Sequence, residues 1–183
     1  MKTNKKGITP FFIYNIIMNL KNIFAMQKEL DQKIAQRKDL ALNKIKTNNK
    51  HQQMMLATLI EIAEFVNEVQ SFKYWKKHKY VDKDKILEEF ADVLHFLGSL
   101  GYKYHVDEEI EPLIVNSKNI NEQFTLLFSA VTKAMFHTNK YNISEIFALV
   151  LGSAKLLNYS EKEILEAYEK KNLKNHQRII DNY

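Results

Sequence analysis

The chain has 183 residues, with 27 Lys and Arg against 22 Asp and Glu, a formal net charge of +5. That length suits one domain, and 45% hydrophobic residues exclude wholesale disorder. Four Gly and two Pro leave too few turn formers for a sandwich or barrel, and the absence of Cys excludes a disulfide scaffold, a thiolate zinc site and a cysteine nucleophile.

Taken in chain order, nearly every segment reads as helix. Lys2, Lys5 and Lys6 precede an apolar stretch, Phe11 to Leu20, in the manner of a signal peptide. Asn15 and Asn19 interrupt that stretch and no small-x-small cleavage site follows, so a cytoplasmic location is expected. No window reaches the ~20 apolar residues of a membrane span. Ile13, Ile16, Ile17, Leu20, Ile23, Phe24, Leu30 and Ile34 are spaced by threes and fours and predict a helix from Phe12 to Leu40. Asn48-Asn49 marks a polar loop. A second helix is expected over His51–Gln70, then a charged, aromatic connection over Lys73–Lys85. Asp84 is the expected cap of a third helix, Lys85–Leu100, with Gly101 as its C-cap. Tyr102–Lys118, with Pro112, reads as irregular. Helices follow over Asn121–Thr138 and Ser144–Asn158, and Ser160 with Glu163 has the spacing of a capping box opening a last helix to Ile180. The expectation is an all-α, single-domain bundle of five or six helices over 20–183, with residues 1–19 as an N-terminal extension of no assigned role.

The second and third helices carry the most informative residues. Glu61, Glu64 and Glu68 fall within a sector of roughly 60° at 100° per residue. Leu56, Leu59, Ile60 and Ala63 flank that sector on one side, Ile62, Phe65 and Val69 on the other, and no basic residue occurs between Gln52 and Gln70. On the third helix Glu88, Glu89 and Asp92 share a stripe bordered by His95, with Phe96 inside it. Carboxylates among so many apolar residues need a positive partner. Antiparallel packing of the two helices would converge two E-x-x-[ED] clusters into an all-oxygen site for a hard cation, Mg²⁺ or Mn²⁺, suited to phosphoanhydride hydrolysis. Asp92 and His95 also have half the spacing of a di-iron carboxylate site, but His51 is ten residues from Glu61 and out of register as the second His. The bland alternative is a solvated acidic face.

Two further elements suit a nucleotide. Phe72-Lys73-Tyr74-Trp75 places a Lys beside the only Trp, for phosphate and base, unless the Trp only staples the loop to the core. Lys171, Asn175 and Arg178 fall on one side of the last helix, two cations and an amide fit for a polyphosphate and a polar base or sugar. A solvated basic helix end has the same composition.

In order, Met26-Gln27-Lys28-Glu29-Leu30-Asp31, Glu61-Ile62-Ala63-Glu64-Phe65-Val66-Asn67-Glu68, Phe72-Lys73-Tyr74-Trp75, Glu88-Glu89-Phe90-Ala91-Asp92-Val93-Leu94-His95-Phe96 and Lys171-Asn172-Leu173-Lys174-Asn175-His176-Gln177-Arg178 make a familiar set. The chain resembles the dimeric all-α dUTPases of the MazG-like nucleoside triphosphate pyrophosphatases from about Leu20 to Tyr183. The resemblance implies hydrolysis of dUTP, and of dUDP, by a homodimer. It implies that Glu61, Glu64, Glu89 and Asp92 hold Mg²⁺, with Glu61 or Glu64 activating water. It further implies that Gln27, Trp75, Phe96 and Asn175 surround the deoxyuridine, that Lys73, Lys171 and Arg178 meet the phosphates, and that His95 lies close to the nucleotide. Asn182-Tyr183 stands where the family's run tends to finish with Gly-Tyr, a departure at the residue expected to reach substrate. A broader pyrophosphatase acting on dCTP, or a non-catalytic helical module binding nucleic acid or protein, are the other readings. Scattered lysines and the acidic patches disfavour a nucleic-acid partner.

Overall fold

In the computed structural model, residues 17–36 and 50–181 are described. Among the described residues six helices pack into one bundle: α1 (Lys21–Ala35), α2 (Lys50–Val69), α3 (Lys83–Lys103), α4 (Ile120–Phe136), α5 (Lys140–Leu156) and α6 (Glu161–Ile180). Two short strands, β1 (Met18–Asn19) and β2 (Glu109–Ile110), pair antiparallel. The bundle agrees with the all-α expectation.

The helix expected from Phe12 is corrected at its start. Met18 and Leu20 are buried while Ile17 and Asn19 are exposed, a period of two rather than 3.6. The Leu20 N–H donates to the Glu108 carbonyl at 2.6 Å, so the segment joins a ribbon before α1 begins. The residues expected to form its first turns, its end near Leu40, and the Asn48-Asn49 loop lie outside the described residues, as does Tyr183.

α3 is the central helix and packs against α1, α2, α5 and α6. Ile86, Phe90, Val93, Leu94, Leu97 and Leu100 are buried around it. Its true cap is Asp82, whose carboxylate accepts from the Asp84 and Lys85 N–H groups, one turn-start earlier than the expected Asp84. Gly101 does not end the helix. A Cβ there would lie 2.7 Å from the Phe24 ring and 3.0 Å from Phe147, so the glycine admits close packing of α1. Asn119 and Asn139 cap α4 and α5, and the Ser160–Glu163 capping box of α6 is present as expected.

α2 and α3 run antiparallel, since Met54 meets Lys103 while Phe65 meets Phe90. The Phe65 ring makes edge contacts with Phe90 at 5.2 Å and Phe124 at 5.6 Å, anchoring α2 to both α3 and α4. Burying Ile62, Phe65, Val66 and Val69 turns the opposite flank of α2 outward, leaving Leu56 and Ile60 about half exposed. α2 stops where Gln70 takes a left-handed φ of 58°.

Replacing Gly101 by Ala would gain about 1 kcal/mol of helix propensity but overpack by about 1–3 kcal/mol. Gly152 is tighter, because its Cβ would fall 1.9 Å from the Leu113 carbonyl oxygen, which is backbone and cannot rotate away. Urea denaturation is expected to show lower midpoints for both Ala variants, with Gly152→Ala the lower of the two.

Candidate active site

The antiparallel register of α2 and α3 decides which carboxylates meet. With Phe65 and Phe90 locked together, Glu61 and Glu64 face Glu89 and Asp92 across the helix pair. Carboxylate oxygens of Glu61, Glu89 and Asp92 lie within 4.8 Å of one another, each residue partly buried. Glu64 lines the same cavity, stays exposed, and acts on Glu61 and Glu89 through its charge. The cavity holds about 690 Å³ and takes walls from α1, α2, α3 and α6.

Burial is the largest influence on this cluster. It pushes the Glu61 carboxyl up to about 7, with the negative charges of Asp92, Glu64 and Glu89 adding to the effect and Lys171 opposing it. Burial also raises Glu89 and Asp92, in Asp92 against the pull of Lys171. Among the described residues, six carboxylates and three cations line the cavity. Hard oxygen donors at this spacing, short of positive charge, are the donor set of a divalent cation such as Mg²⁺.

α6 supplies the cations. Lys171 Nζ, on a side chain 9% exposed, sits 2.5 Å from Asp92 Oδ2 and 3.1 Å from Glu88 Oε1. Lys174 reaches the same Glu88 oxygen at 2.9 Å. Hydrogen bonds from these two lysines hold the Glu88 carboxyl down to about 2. Glu88 therefore belongs with the lysines rather than with the cluster, a division that its place on the shared stripe does not reveal. Arg178 Nη1 donates to Asn175 Oδ1 at 3.1 Å, and both line the cavity.

The remaining expected residues divide. Gln27, His95 and Phe96 line the cavity. Lys73 and Trp75 do not. Lys73 Nζ donates to the Asn67 carbonyl at the end of α2, and Trp75 is 62% exposed, in edge contact with Phe72 and Tyr74. Sequence reasoning missed a buried polar network behind the cavity. Gln27 Nε2 donates to Asp31 Oδ1 at 2.8 Å and to Ser99 Oγ at 3.1 Å. Gln27 Oε1 receives His95 Nδ1 at 2.6 Å and the Tyr168 hydroxyl at 2.8 Å. Ser99 and Tyr102 hydroxyls each donate to Asp31 Oδ2 at 2.7 Å. The available signal was periodicity. Gln27 shares the stripe of Ile23, Phe24 and Leu30, where a buried amide requires partners, and Asp31 lies one turn further.

The family model described as dUTPase matches residues 19–183. The chain belongs to the dUTPase family. Its described residues form a helical bundle, and its activity is the hydrolysis of dUTP. No curated protein matches the chain. The dUTPase match places all four cavity-forming helices within one family unit. Among the described residues, no helix of this dUTPase is long and apolar enough to cross a membrane.

The raised Glu61 carboxyl gives a pH signature. Its proton stabilises the fold fully below the ordinary value of 4.5, and that contribution is lost as pH rises through about 7. His95, lowered to about 4 chiefly by burial, works in the opposite direction over 4–6.5, so a comparison within one background is needed. In chelator-treated protein the Tm of Glu61→Gln relative to wild type is expected to climb between pH 4.5 and 7.5. A difference independent of pH would contradict the assignment.

Proposed function

We propose that the chain converts dUTP and water to dUMP and diphosphate with Mg²⁺, or Mn²⁺ in its place, held by Glu61, Glu64, Glu89 and Asp92. The single observation that carries this is the approach of the Glu61, Glu89 and Asp92 oxygens to within 4.8 Å on two helices locked by aromatic contacts. When bound, the cation supplies Lewis-acid neutralisation of the phosphate oxygens and acidifies water. Glu61 orients the attacking water and takes its proton. Lys171, paired with Asp92 at the cavity wall, would offer its ammonium to the polyphosphate, with Arg178 lining the same cavity.

The nucleoside lies toward His95, Phe96 and Asn175. Arg178 holds the Asn175 carbonyl, which leaves the amide NH₂ as the donor for a uracil carbonyl. Lys73 and Trp75 lie outside the cavity, so a part for them in binding would require the 70–82 connection to close over its mouth. Gln27 is less suited to touch the base directly, because its two amide protons and both lone pairs are already used. The half-exposed Leu56 and Ile60 on α2 support assembly as a homodimer. The same chemistry extends to dUDP, and the activity fits a cytoplasmic nucleotide pool.

A hydrolysis panel of dUTP, dUDP, dCTP, dTTP and UTP, with and without Mg²⁺, is the direct test. Hydrolysis of the two deoxyuridine nucleotides alone, abolished by chelation and restored by Mg²⁺, is expected; equal turnover of dCTP would favour the broader pyrophosphatase. Glu61→Gln should lower kcat by roughly 10²–10⁴-fold with helicity intact. Trp75→Ala should raise KM for dUTP, and an unchanged KM would return Trp75 to a purely structural role.

A further inference from the structure

His95 is 5% exposed and lines the cavity, yet its Nε2 has no hydrogen-bond partner among the described residues. Its other nitrogen is fully committed. Nδ1 lies 2.6 Å from Gln27 Oε1, and the ring stacks on Tyr168 at 4.4 Å and 24°, which fixes its plane. Which nitrogen carries the proton depends on which way the Gln27 amide faces.

That amide has one allowed orientation. Asp31 Oδ1 is a carboxylate oxygen 2.8 Å away and can only accept, so the amide must turn its NH₂ toward it. Asp31 is itself held in place by Ser99, by Tyr102 and, at 3.9 Å, by Lys103. The amide oxygen then faces His95, where only an N–H can meet it. In the neutral ring Nε2 is left bare. The Nε2 atom is outside the carboxylate cluster that gathers within 4.8 Å, so a hydrogen-bond donor suits it better than the cation.

We propose that Asp31 is a positioning residue: through Gln27 it fixes the His95 proton on Nδ1 and presents Nε2 as an acceptor to a donor of the deoxynucleoside. This rests on the reading above only in placing the nucleoside beside His95. Two donors of deoxyuridine have the required chemistry, the imide N3–H and the sugar 3′-hydroxyl. Cytosine carries an acceptor at the equivalent ring position, so an N3–H contact would also select against it.

Long-range ¹H–¹⁵N NMR of the full chain with labelled histidine reads the tautomer without metal or turnover, so its failure is separable from failure of the hydrolysis reading. The wild type should show a protonated Nδ1 and a bare Nε2 whose resonance moves on addition of α,β-imido-dUTP. Asp31→Asn should mix the tautomers and raise KM for dUTP about tenfold, the scale of one buried hydrogen bond, with kcat changed by less than about twofold. N3-methyl-dUTP and 2′,3′-dideoxy-UTP assign the donor: the analogue lacking it loses about tenfold with wild type and almost nothing further with Asp31→Asn. A proton on Nε2 in the wild type overturns the proposal. So do losses on both analogues that are equal in wild type and Asp31→Asn. If Asp31→Asn does not fold, the wild-type spectrum and its response to α,β-imido-dUTP decide.

Discussion

Three carboxylates drawn to within 4.8 Å in half-buried ground repel one another, and the rest of the molecule answers to that repulsion. The apolar side of α2 forces the approach, because Ile62 and Phe65 cannot bury against α3 and α4 without carrying Glu61 toward Glu89 and Asp92. One answer is the raised Glu61 carboxyl, lifted first by burial and then by the neighbouring negative charges. The other is Lys171, brought in from α6 to lie between Asp92 and Glu88. The last helix is thus tied to the acidic helices by charge as well as by packing. A buried lysine of this kind is stable only while its carboxylate partners stay ionised.

α3 divides its length between two tasks. Its first half bears Glu88, Glu89 and Asp92 and deals with charge. One turn on, His95 and Ser99 enter a hydrogen-bonded network with Gln27, Asp31 and Tyr168. α1 brings that network to the cavity, and its start is fixed by the hydrogen bond from Leu20 to Glu108. A charged end and a hydrogen-bonded end of the cavity therefore follow from successive turns of one buried helix.

The order of helices, the capping box at Ser160 and the acidic pairs were legible because each rests on local spacing that packing then respects. Glu61, Glu89 and Asp92 could be placed by helical arithmetic once α2 and α3 were taken as antiparallel. Gly101 was misread because a glycine admitting the Phe24 ring looks identical, in one dimension, to a helix stop. Met18 and Asn19 were misread because two residues are too few to display a strand's period, and their partner lies some ninety residues away. The pairing of Glu88 with Lys171 and Lys174 depends on how α6 lies over α3, which no local pattern encodes. Trp75 and Lys73 sit in a connection without periodicity, so their chemistry was readable and their position was not.

That connection is bounded by two firm stops, the left-handed Gln70 that closes α2 and the Asp82 carboxylate that opens α3. Between them the chain bears no core residue and carries exposed Tyr74, Trp75 and Tyr80. Residues inserted or removed there leave the helical register untouched, whereas a single deletion inside α2 would rotate every later side chain by about 100° and scatter the acidic group. The connection can therefore vary in length and composition without displacing the carboxylates gathered at the cavity.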